Sequence, residues 1–329
     1  MSLIVTKFGG SSLNGTERLR RAAEQIAAFY HQGNDVIAVL SARGRTTDCL
    51  VEASAKIARD PPKRELDLLM SVGEQIAVAH MAMQLSELGC PAMAFTGWQA
   101  GIRTDGQFGD AKVYHVAGGR LRDALSARRV ALVTGFQGVS DAGDITTLGR
   151  GGSDTTAVAL AAWMGADACY IYTDVDGVYT ADPRELPAAR KLDHISYDDM
   201  LEMSQQGAKV LHSRCVELAR DHDLRFEVRS SFSDVPGTRV GPEEGRNFCG
   251  VATSYGIQLP NLAEPAARVS LIGGACGERA TEQAFLRLLS GRKLYQVIRR
   301  KRCISVCVPA QMAVETAALL HDRFLSEMP

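Results

Sequence analysis

Hydrophobic and polar residues alternate in blocks along the first two thirds of the chain, and the blocks predict strands and helices in turn. Residues 3–5 and 35–41 are short continuous apolar runs, which is the pattern of strands buried on both faces of a parallel sheet. Residues 16–30 have a helical pattern, and residues 65–88 have the pattern of one amphipathic helix. This alternation predicts an α/β fold, a doubly wound and mainly parallel sheet sandwiched by helices.

Further short apolar runs extend this pattern into the middle of the chain. They predict strands at residues 92–95, 130–133, 168–172 and 225–229, with a helix over residues 197–219. Polar or glycine-rich turns follow the strands, and open parallel sheets bind ligands where the carboxyl ends of the strands meet. These turns are therefore the expected place for a functional site.

A segment rich in glycine, proline and charge, residues 236–245, indicates a domain boundary. We predict a first domain over residues 1–240, a linker over residues 241–249 and a second domain over residues 250–329. In the second domain the pattern predicts a small α+β unit with two helices on one face of an antiparallel sheet. The predicted helices are 281–289 and 312–324, and the predicted strands are 250–259, 268–272, 295–298 and 303–308.

The most distinctive turn lies within residues 146–156. Three glycines stand among the four residues 149–152, so the backbone can turn sharply and expose its amides. An Ala/Leu-rich helical run follows, which places those amides at a helix N-terminus, where an anion is favoured. Arg150 and Asp154 add one cation and one carboxylate. The combination suits a ligand that carries phosphate together with a metal.

Composition and charge exclude several classes of protein. A formal net charge of −1 argues against a nucleic-acid binder held by bulk electrostatics. No apolar run is long enough to span a bilayer, and the N-terminus lacks the basic start of a signal peptide. The eight cysteines form no CxxC pair and the histidines have no metal-binding spacing, so no zinc cluster is expected. We expect a cytoplasmic protein with reduced thiols, without a nucleic-acid or membrane partner.

Two familiar phosphate-binding motifs do not fit the glycine turns. A Walker A motif is excluded because Lys7 precedes its glycines, and a dinucleotide fingerprint would need glycine or alanine where Asp154 stands. Phosphoryl transfer remains, a reaction in which a protein positions two substrates and neutralises developing charge. Lys7 and Lys209 are candidate clamps for the moving phosphoryl group, and amides are offered by Gly9, Gly10, Gly151 and Gly152.

A series of motifs in the first domain has a characteristic order: Lys7-Phe8-Gly9-Gly10-Ser11-Ser12, Ser41-Ala42 with Thr46-Thr47, Gly73-Glu74, Gly135-Phe136, Thr147–Asp154, Thr173–Tyr179 and Gly207–His212. Together they resemble aspartate kinase, a branch of the amino acid kinase superfamily, from about Leu3 to Val240. The resemblance implies that ATP phosphorylates L-aspartate to 4-phospho-L-aspartate with Mg²⁺, the first step of aspartate-family biosynthesis, which includes lysine biosynthesis and threonine biosynthesis. It implies an aspartate-binding lobe over about residues 1–164 and a nucleotide-binding lobe over about residues 165–240.

The resemblance also implies roles for individual residues. Lys7 stabilises the transferring phosphoryl group, Asp154 orients the catalytic lysines, and the implied catalytic set is Lys7, Asp154 and Lys209. Arg150 is expected to bind the α-carboxylate of aspartate, and Glu74 its ammonium group. The implied substrate-binding set is Thr47, Glu74, Phe136, Arg150, Gly152 and Ser153. The implied nucleotide-binding set is Lys7, Gly9, Gly10, Ser41, Thr173, Asp174, Tyr179, Arg184 and Lys209. No residue is expected to ligate the metal directly.

The second domain departs from the family pattern. Aspartate kinases usually carry two ACT modules, which bind inhibitory lysine or threonine, and residues 250–329 suffice for one. The turn at residues 273–279 lacks the Asp or Asn and the proline that are typical of an effector-binding ACT turn. We therefore expect a reduced ACT-like domain with weak or absent feedback inhibition. Because ACT modules pair across a two-fold axis, a homodimer is expected.

Two alternative functions stay open at this point. One is a catalytically silent amino-acid-binding regulatory protein, although Lys7, Asp154 and Lys209 are all present. The other is a kinase of a related amino acid. Glu74 and Arg150 together suit a free α-amino acid, which disfavours an N-acylated acceptor.

Overall fold

The computed structural model describes residues 1–208, 210–243, 246–260, 262 and 264–326. Its strands and helices in chain order are β1 (Leu3–Phe8), α1 (Thr16–His31), β2 (Asp35–Leu40), α2 (Thr46–Ile57), α3 (Lys63–Met70), α4 (Val72–Glu87), β3 (Ala92–Phe95), α5 (Gly97–Ala100), β4 (Ile102–Thr104), β5 (Val113–Val116), α6 (Gly119–Ser126), β6 (Val130–Thr134), β7 (Gln137–Val139), β8 (Ile145–Thr147), α7 (Gly152–Met164), β9 (Ala168–Thr173), β10 (His194–Ser196), α8 (Tyr197–Gln206), α9 (Ser213–Asp221), β11 (Phe226–Ser230), β12 (Thr238–Gly241), β13 (Gly250–Ile257), β14 (Ala266–Ile272), α10 (Arg279–Leu288), β15 (Gln296–Arg300), β16 (Cys303–Pro309) and α11 (Ala313–Leu325).

The chain divides into two units. The first contains Met1–Asp176 and Leu218–Gly237, and the second contains Gly177–Glu217 and Thr238–Pro329. The predicted α/β class is confirmed, since the first unit is built on a parallel sheet with strand order β11-β9-β1-β2-β6-β3.

Alternate residues of the parallel strands face different helices. Phe8, Leu40 and Leu132 belong to a buried cluster with α1 and α4. On β1, the neighbouring residue Lys7 faces the opposite way, towards α7, where its amine meets Asp154. The sandwich of helices around the sheet therefore places one charged side chain of a buried strand at the start of a helix.

A second, small sheet in the first unit was not predicted. Its order is β5-β4-β7-β8, and β7 pairs antiparallel with β8 immediately before the glycine turn. Strands of three or four residues are too short for alternation to identify. This sheet matters because β8 carries the chain into the turn at residues 148–152.

Two helices predicted as continuous are each divided. The prediction of one helix over residues 65–88 is wrong, since α3 ends before Ser71 and α4 begins after it. The Ser71 hydroxyl donates to the carbonyl of Leu68, and the Ser71 carbonyl accepts from the side chain of Gln137, which interrupts regular helix bonding. The helix over residues 197–219 is likewise divided into α8 and α9, because Gly207 ends α8 in a left-handed conformation with φ +112°.

The second unit contains the predicted antiparallel sheet, in the order β13-β14-β16-β15. Side chains of β14 and β16, such as Leu271 and Val306, pack with Phe285 of α10 and Leu320 of α11 in one buried cluster. The two predicted helices therefore cover one face of the sheet. This unit also contains the parallel pair of β10 and β12.

Three further features concern hydropathy, the cysteines and the tryptophans. No helix among the described residues is long and apolar enough to cross a membrane. All eight cysteines are free thiols, and Cys303 and Cys307 are buried. Trp163 packs against His222, whereas Trp98 is 40% exposed.

Candidate active site

An ion pair between Lys7 and Asp154 lies at the carboxyl end of β1. Lys7 Nζ is 2.6 Å from Asp154 Oδ1, and the two residues are 8% and 9% exposed. Lys7 is the next-to-last residue of β1, and Asp154 stands in the first turn of α7. A buried charge needs an opposite charge close to it, and Lys7 and Asp154 each provide that charge for the other.

The ion pair borders a pocket of about 340 Å³ in the first unit. Eleven of the predicted site residues line it, as do Gly149 and Gly151. The predicted members are Lys7, Gly9, Gly10, Ser41, Thr47, Glu74, Phe136, Arg150, Gly152, Ser153 and Asp154. All the predicted substrate-binding residues are therefore brought together, although they come from distant parts of the sequence.

Glu74 supplies a buried carboxylate to this pocket. Its side chain is in the first turn of α4 and only 3% exposed, and Oε1 accepts from the amide of Ala42 at 3.0 Å. Oε2 has no hydrogen-bond partner. Burial raises the pKa of Glu74 to about 7, against the opposing effect of the bonds from backbone amides. A cationic group entering the pocket would satisfy the free oxygen and favour the ionised form.

The glycine turn adopts the conformation that its residues permit. Gly149 and Gly151 both have φ +70°, in the left-handed region, and Gly151 precedes the first residue of α7. The turn directs the N-terminus of a 13-residue helix towards the pocket, with the cation of Arg150 on the same rim. The positive end of the α7 helix dipole and the Arg150 guanidinium both favour an anionic ligand.

The turn after β1 packs closely on the turn after β2. A Cβ on Gly10 would lie 2.6 Å from the carbonyl oxygen of Ala42, so only glycine fits this approach. Gly9 donates its amide to the carbonyl of Tyr172 across a long 3.4 Å bond, which is not the free amide expected for it. Ser41 lies beside both glycines on the pocket wall.

Of the downstream nucleotide-binding residues, Thr173, Asp174, Tyr179 and Arg184 do not line this pocket. Thr173 is the last residue of β9, the neighbour of β1 in the sheet, and Asp174 follows it. The Thr173 hydroxyl donates to Asp174 Oδ1 at 3.1 Å. Tyr179 and Arg184 belong to the second unit, where Arg184 pairs with Asp182. Lys209, the third predicted catalytic residue, lies outside the described residues.

Two residues without a predicted role also shape the site. Ala42 fixes Glu74 through its backbone amide, and Asp67 bonds the strand that leads into the glycine turn. Phe136 was predicted to line the pocket, but its left-handed backbone, with φ +69°, was not. Nothing in a sequence shows which backbone amide will bond a side chain or which phenylalanine will have a strained backbone. Asp67, in contrast, could have been noticed as a carboxylate on a helix face that carries both polar and apolar residues.

The residues around the pocket fit a metal held mainly by a ligand. Among the described residues there is no group of three or more His, Cys, Asp or Glu side chains that could hold a metal ion. Mg²⁺ usually keeps several waters and binds through one or two carboxylates together with substrate phosphates. Asp154 would contribute a carboxylate to such a shell, a role that the sequence prediction assigned to no residue.

Comparisons with known proteins show what this chain is similar to. Residues 2–230 match the model of the amino acid kinase family. The chain is 56% identical over 241 residues to the aspartokinase of Mycobacterium bovis and 55% identical over 282 residues to that of Mycolicibacterium smegmatis. These alignments cover 73% and 82% of this chain, and 57% and 67% of the relatives. The chain thus spans less than two thirds of the length of the first of these relatives.

The fold also matches a solved structure. The crystal structure of E. coli aspartokinase III in complex with aspartate and ADP superimposes with a TM-score of 0.84 at 22% identity, covering 98% of this chain and 99% of that one. At this identity the match concerns the fold.

Proposed function

Because the chain belongs to the amino acid kinase family, we propose that it transfers the γ-phosphoryl group of ATP to the side-chain carboxylate of L-aspartate. The curated relatives at 55–56% identity are aspartokinases. The structure contributes an independent reason. A buried carboxylate with one unpaired oxygen, Glu74, shares a pocket with the guanidinium of Arg150 and with the Lys7–Asp154 pair.

This combination of charges supports a free α-amino acid as the acceptor. The unpaired Glu74 Oε2 suits a cationic ammonium group, since burying it unpaired is costly. Arg150 offers a planar fork of donors that matches a carboxylate. An N-acylated amino acid would present no cation to Glu74 and would leave that oxygen unsatisfied. The Glu74 carboxylate is the single observation on which this substrate class depends.

The proposed reaction is a direct in-line transfer. An oxygen of the substrate's side-chain carboxylate forms a bond to the γ-phosphorus, and the bond from that phosphorus to the β–γ bridging oxygen breaks, which releases ADP. Lys7 neutralises the charge that develops on the transferring phosphoryl oxygens, and Asp154 holds the Lys7 amine in place. Mg²⁺ bound to the nucleotide would supply further neutralisation of the phosphates.

The experiment is a measurement of ADP formation with four acceptors: L-aspartate, L-glutamate, N-acetylglutamate and UMP. We expect turnover with aspartate, and trapping with hydroxylamine should detect the acyl phosphate as aspartyl hydroxamate. Asp154→Ala, purified identically, is the blank. Absence of aspartate-dependent turnover, or higher turnover with another acceptor, would refute the proposal. Omitting Mg²⁺ in the presence of EDTA tests the proposed metal requirement.

We further propose that the small sheet of the second unit is an ACT-like module and that the protein is a homodimer. The sheet has β13 and β15 as its edge strands. Arg299 and Arg300 are exposed on β15, and their positive charges discourage this edge strand from pairing with a strand of another molecule. Sedimentation equilibrium would measure the mass, and a monomer at micromolar concentration would contradict the proposal.

A further inference from the structure

Asp67 is a buried carboxylate outside the pocket that the proposed reaction does not use. It lies on α3, is 1% exposed, and makes three hydrogen bonds. Its Oδ2 accepts from the amide of Thr147 at 2.7 Å and from the amide of Gly109 at 2.9 Å. Its Oδ1 accepts from the Thr147 hydroxyl at 2.8 Å. Both oxygens therefore accept hydrogen bonds, and two of the three bonds go to one residue.

Thr147 is the last residue of β8 and stands directly before the glycine turn. The next residue, Leu148, donates its amide to the carbonyl of Phe136 at 2.8 Å. Beyond it the backbone passes through the two left-handed glycines that flank Arg150. Because those glycines are intrinsically free to rotate, the position of Arg150 depends on how firmly the chain is held at Thr147.

The other end of the connection leads to Glu74. Asp67 lies one turn before Ser71, where α3 ends and α4 begins, and Glu74 is in the first turn of α4. At that junction the Ser71 carbonyl accepts a 2.9 Å bond from Gln137, the neighbour of Phe136. The helices that carry Glu74 are thus bonded to the β7–β8 hairpin at two buried points.

We propose that Asp67 is a positioning residue that sets the spacing between Glu74 and Arg150, and so the affinity for the amino-acid substrate. This inference rests on the proposed function, in which those two residues bind the ammonium and carboxylate groups. A charged acceptor suits the task because hydrogen bonds to a carboxylate are stronger than those to a neutral group. The glycines of the turn can therefore remain flexible while Arg150 keeps its spacing from Glu74.

The test compares three variants. Asp67→Ala removes all three bonds, and we expect the KM for aspartate to rise about 10-fold or more while the KM for ATP changes less than about 2-fold. Asp67→Asn can direct its oxygen to the two amides and its NH₂ to the Thr147 hydroxyl, so it should restore the aspartate KM to within about 3-fold. Thr104→Val is the matched control, since it removes a buried 2.7 Å bond to Thr146 in the same small sheet without touching α3.

The outcomes distinguish positioning from mere stability. A general loss of stability would lower the melting temperature in both Asp67→Ala and Thr104→Val and would alter the two KM values equally or not at all. An equal change in the two KM values, or no change in either, overturns the proposal. Failure of Asp67→Asn to restore affinity would also overturn it as a claim about geometry.

A second readout does not depend on the proposed function. Amide hydrogen exchange should accelerate at residues 147–152 in Asp67→Ala but not in Thr104→Val, with little change at residues 36–40 of β2. If the wild-type protein shows no aspartate-dependent turnover, the proposed function fails, and the exchange data alone decide whether Asp67 fixes the turn. Unchanged exchange at residues 147–152 would refute the role of Asp67.

Discussion

Lys7 Nζ lies 2.6 Å from Asp154 Oδ1, and this pair joins the first strand of the chain to the helix that follows the glycine turn. Neither partner is redundant. Removal of one leaves the other as an uncompensated buried charge, so each substitution affects both catalysis and folding.

The first prediction concerns this pair. Lys7→Met should reduce kcat by about 100-fold or more, because the cation that neutralises the phosphoryl group is lost. Asp154→Asn should keep the fold better than Asp154→Ala and still reduce kcat strongly. ADP release under saturating substrates measures both effects. As a control, Arg20→Met removes a cation from the exposed pairs with Glu17 and Glu24 and should leave kcat within about 2-fold of wild type. Wild-type kcat in Lys7→Met would contradict the role of Lys7.

The second prediction is a pH dependence of substrate binding. The pKa of Glu74 is raised to about 7 by burial, so the carboxyl is largely neutral below that pH and ionised above it. Because only the ionised form attracts an ammonium group, the KM for aspartate should fall by roughly 10-fold between pH about 6 and pH about 8. Glu74→Gln should have a high KM that does not change over this range. The KM for ATP, measured in parallel, is the control, and an identical pH profile for both substrates would argue against Glu74.

The same pKa predicts a change in stability without substrate. The folded-state pKa of Glu74 lies above the ordinary value of 4.5, so the folded protein binds more protons than the unfolded chain between pH 4.5 and about 7. This contribution to the free energy of unfolding is present in full below that window and is lost as the pH rises through it. Urea unfolding of wild type and Glu74→Gln should show the difference, with the variant lacking this component. Parallel pH profiles would contradict it.

A fourth prediction uses the close approach of Gly10 to Ala42. In Gly10→Ala the new methyl group meets a backbone oxygen at 2.6 Å, so the turn at residues 41–44 must shift. We expect the free energy of unfolding to fall by about 1–3 kcal/mol and the KM for ATP to rise. Gly119→Ala is the matched control, because nothing lies within 4 Å of its Cβ and α6 begins there. Equal stability of the two variants would disprove the contact argument.

A fifth prediction concerns regulation. At the turn after β14 the amides of Gly273, Gly274 and Ala275 already donate to the backbone carbonyls of Arg302, Arg246 and Asn247. An amino-acid effector would find these donors occupied, so millimolar lysine or threonine should leave the initial rate within about 20% of its value without effector. A clear dose-dependent inhibition by either amino acid would refute this. D-lysine and D-threonine control for ionic effects.

The sequence predicted which residues line the pocket better than it predicted the contacts that hold them in place. The long apolar strands and the glycine turn were identifiable because burial on both faces and left-handed glycines leave clear patterns. Lys7, Glu74 and Arg150 could be assigned to one site from the order of the motifs along the chain. The hydrophobic pattern alone cannot show that these residues lie close together in space. Their meeting in one pocket is a property of the fold.

The remaining features depend on contacts between distant residues. Ser71 divides a helix because Gln137 binds its carbonyl, and no local propensity indicates such a partner. Strands β4, β7 and β8 are too short for periodicity. The carboxylate of Asp67 was not distinguished from solvated helix residues because its three donors come from residues 40 or more positions away.

The pairing of β1 with both β2 and β9 has a consequence for how the protein is made. Ile4 pairs with Val36 and also with Ala168, so the central strand of the sheet completes its bonding only after most of the first unit has been synthesised. Contacts between such distant residues require a long loop to close, which costs conformational entropy and slows the folding reaction. Lys7 therefore emerges from the ribosome long before Asp154, and during that interval it has no buried counter-ion. We expect the nascent chain to hold β1 in a solvated state until α7 appears, which makes this unit a candidate for chaperone dependence during translation.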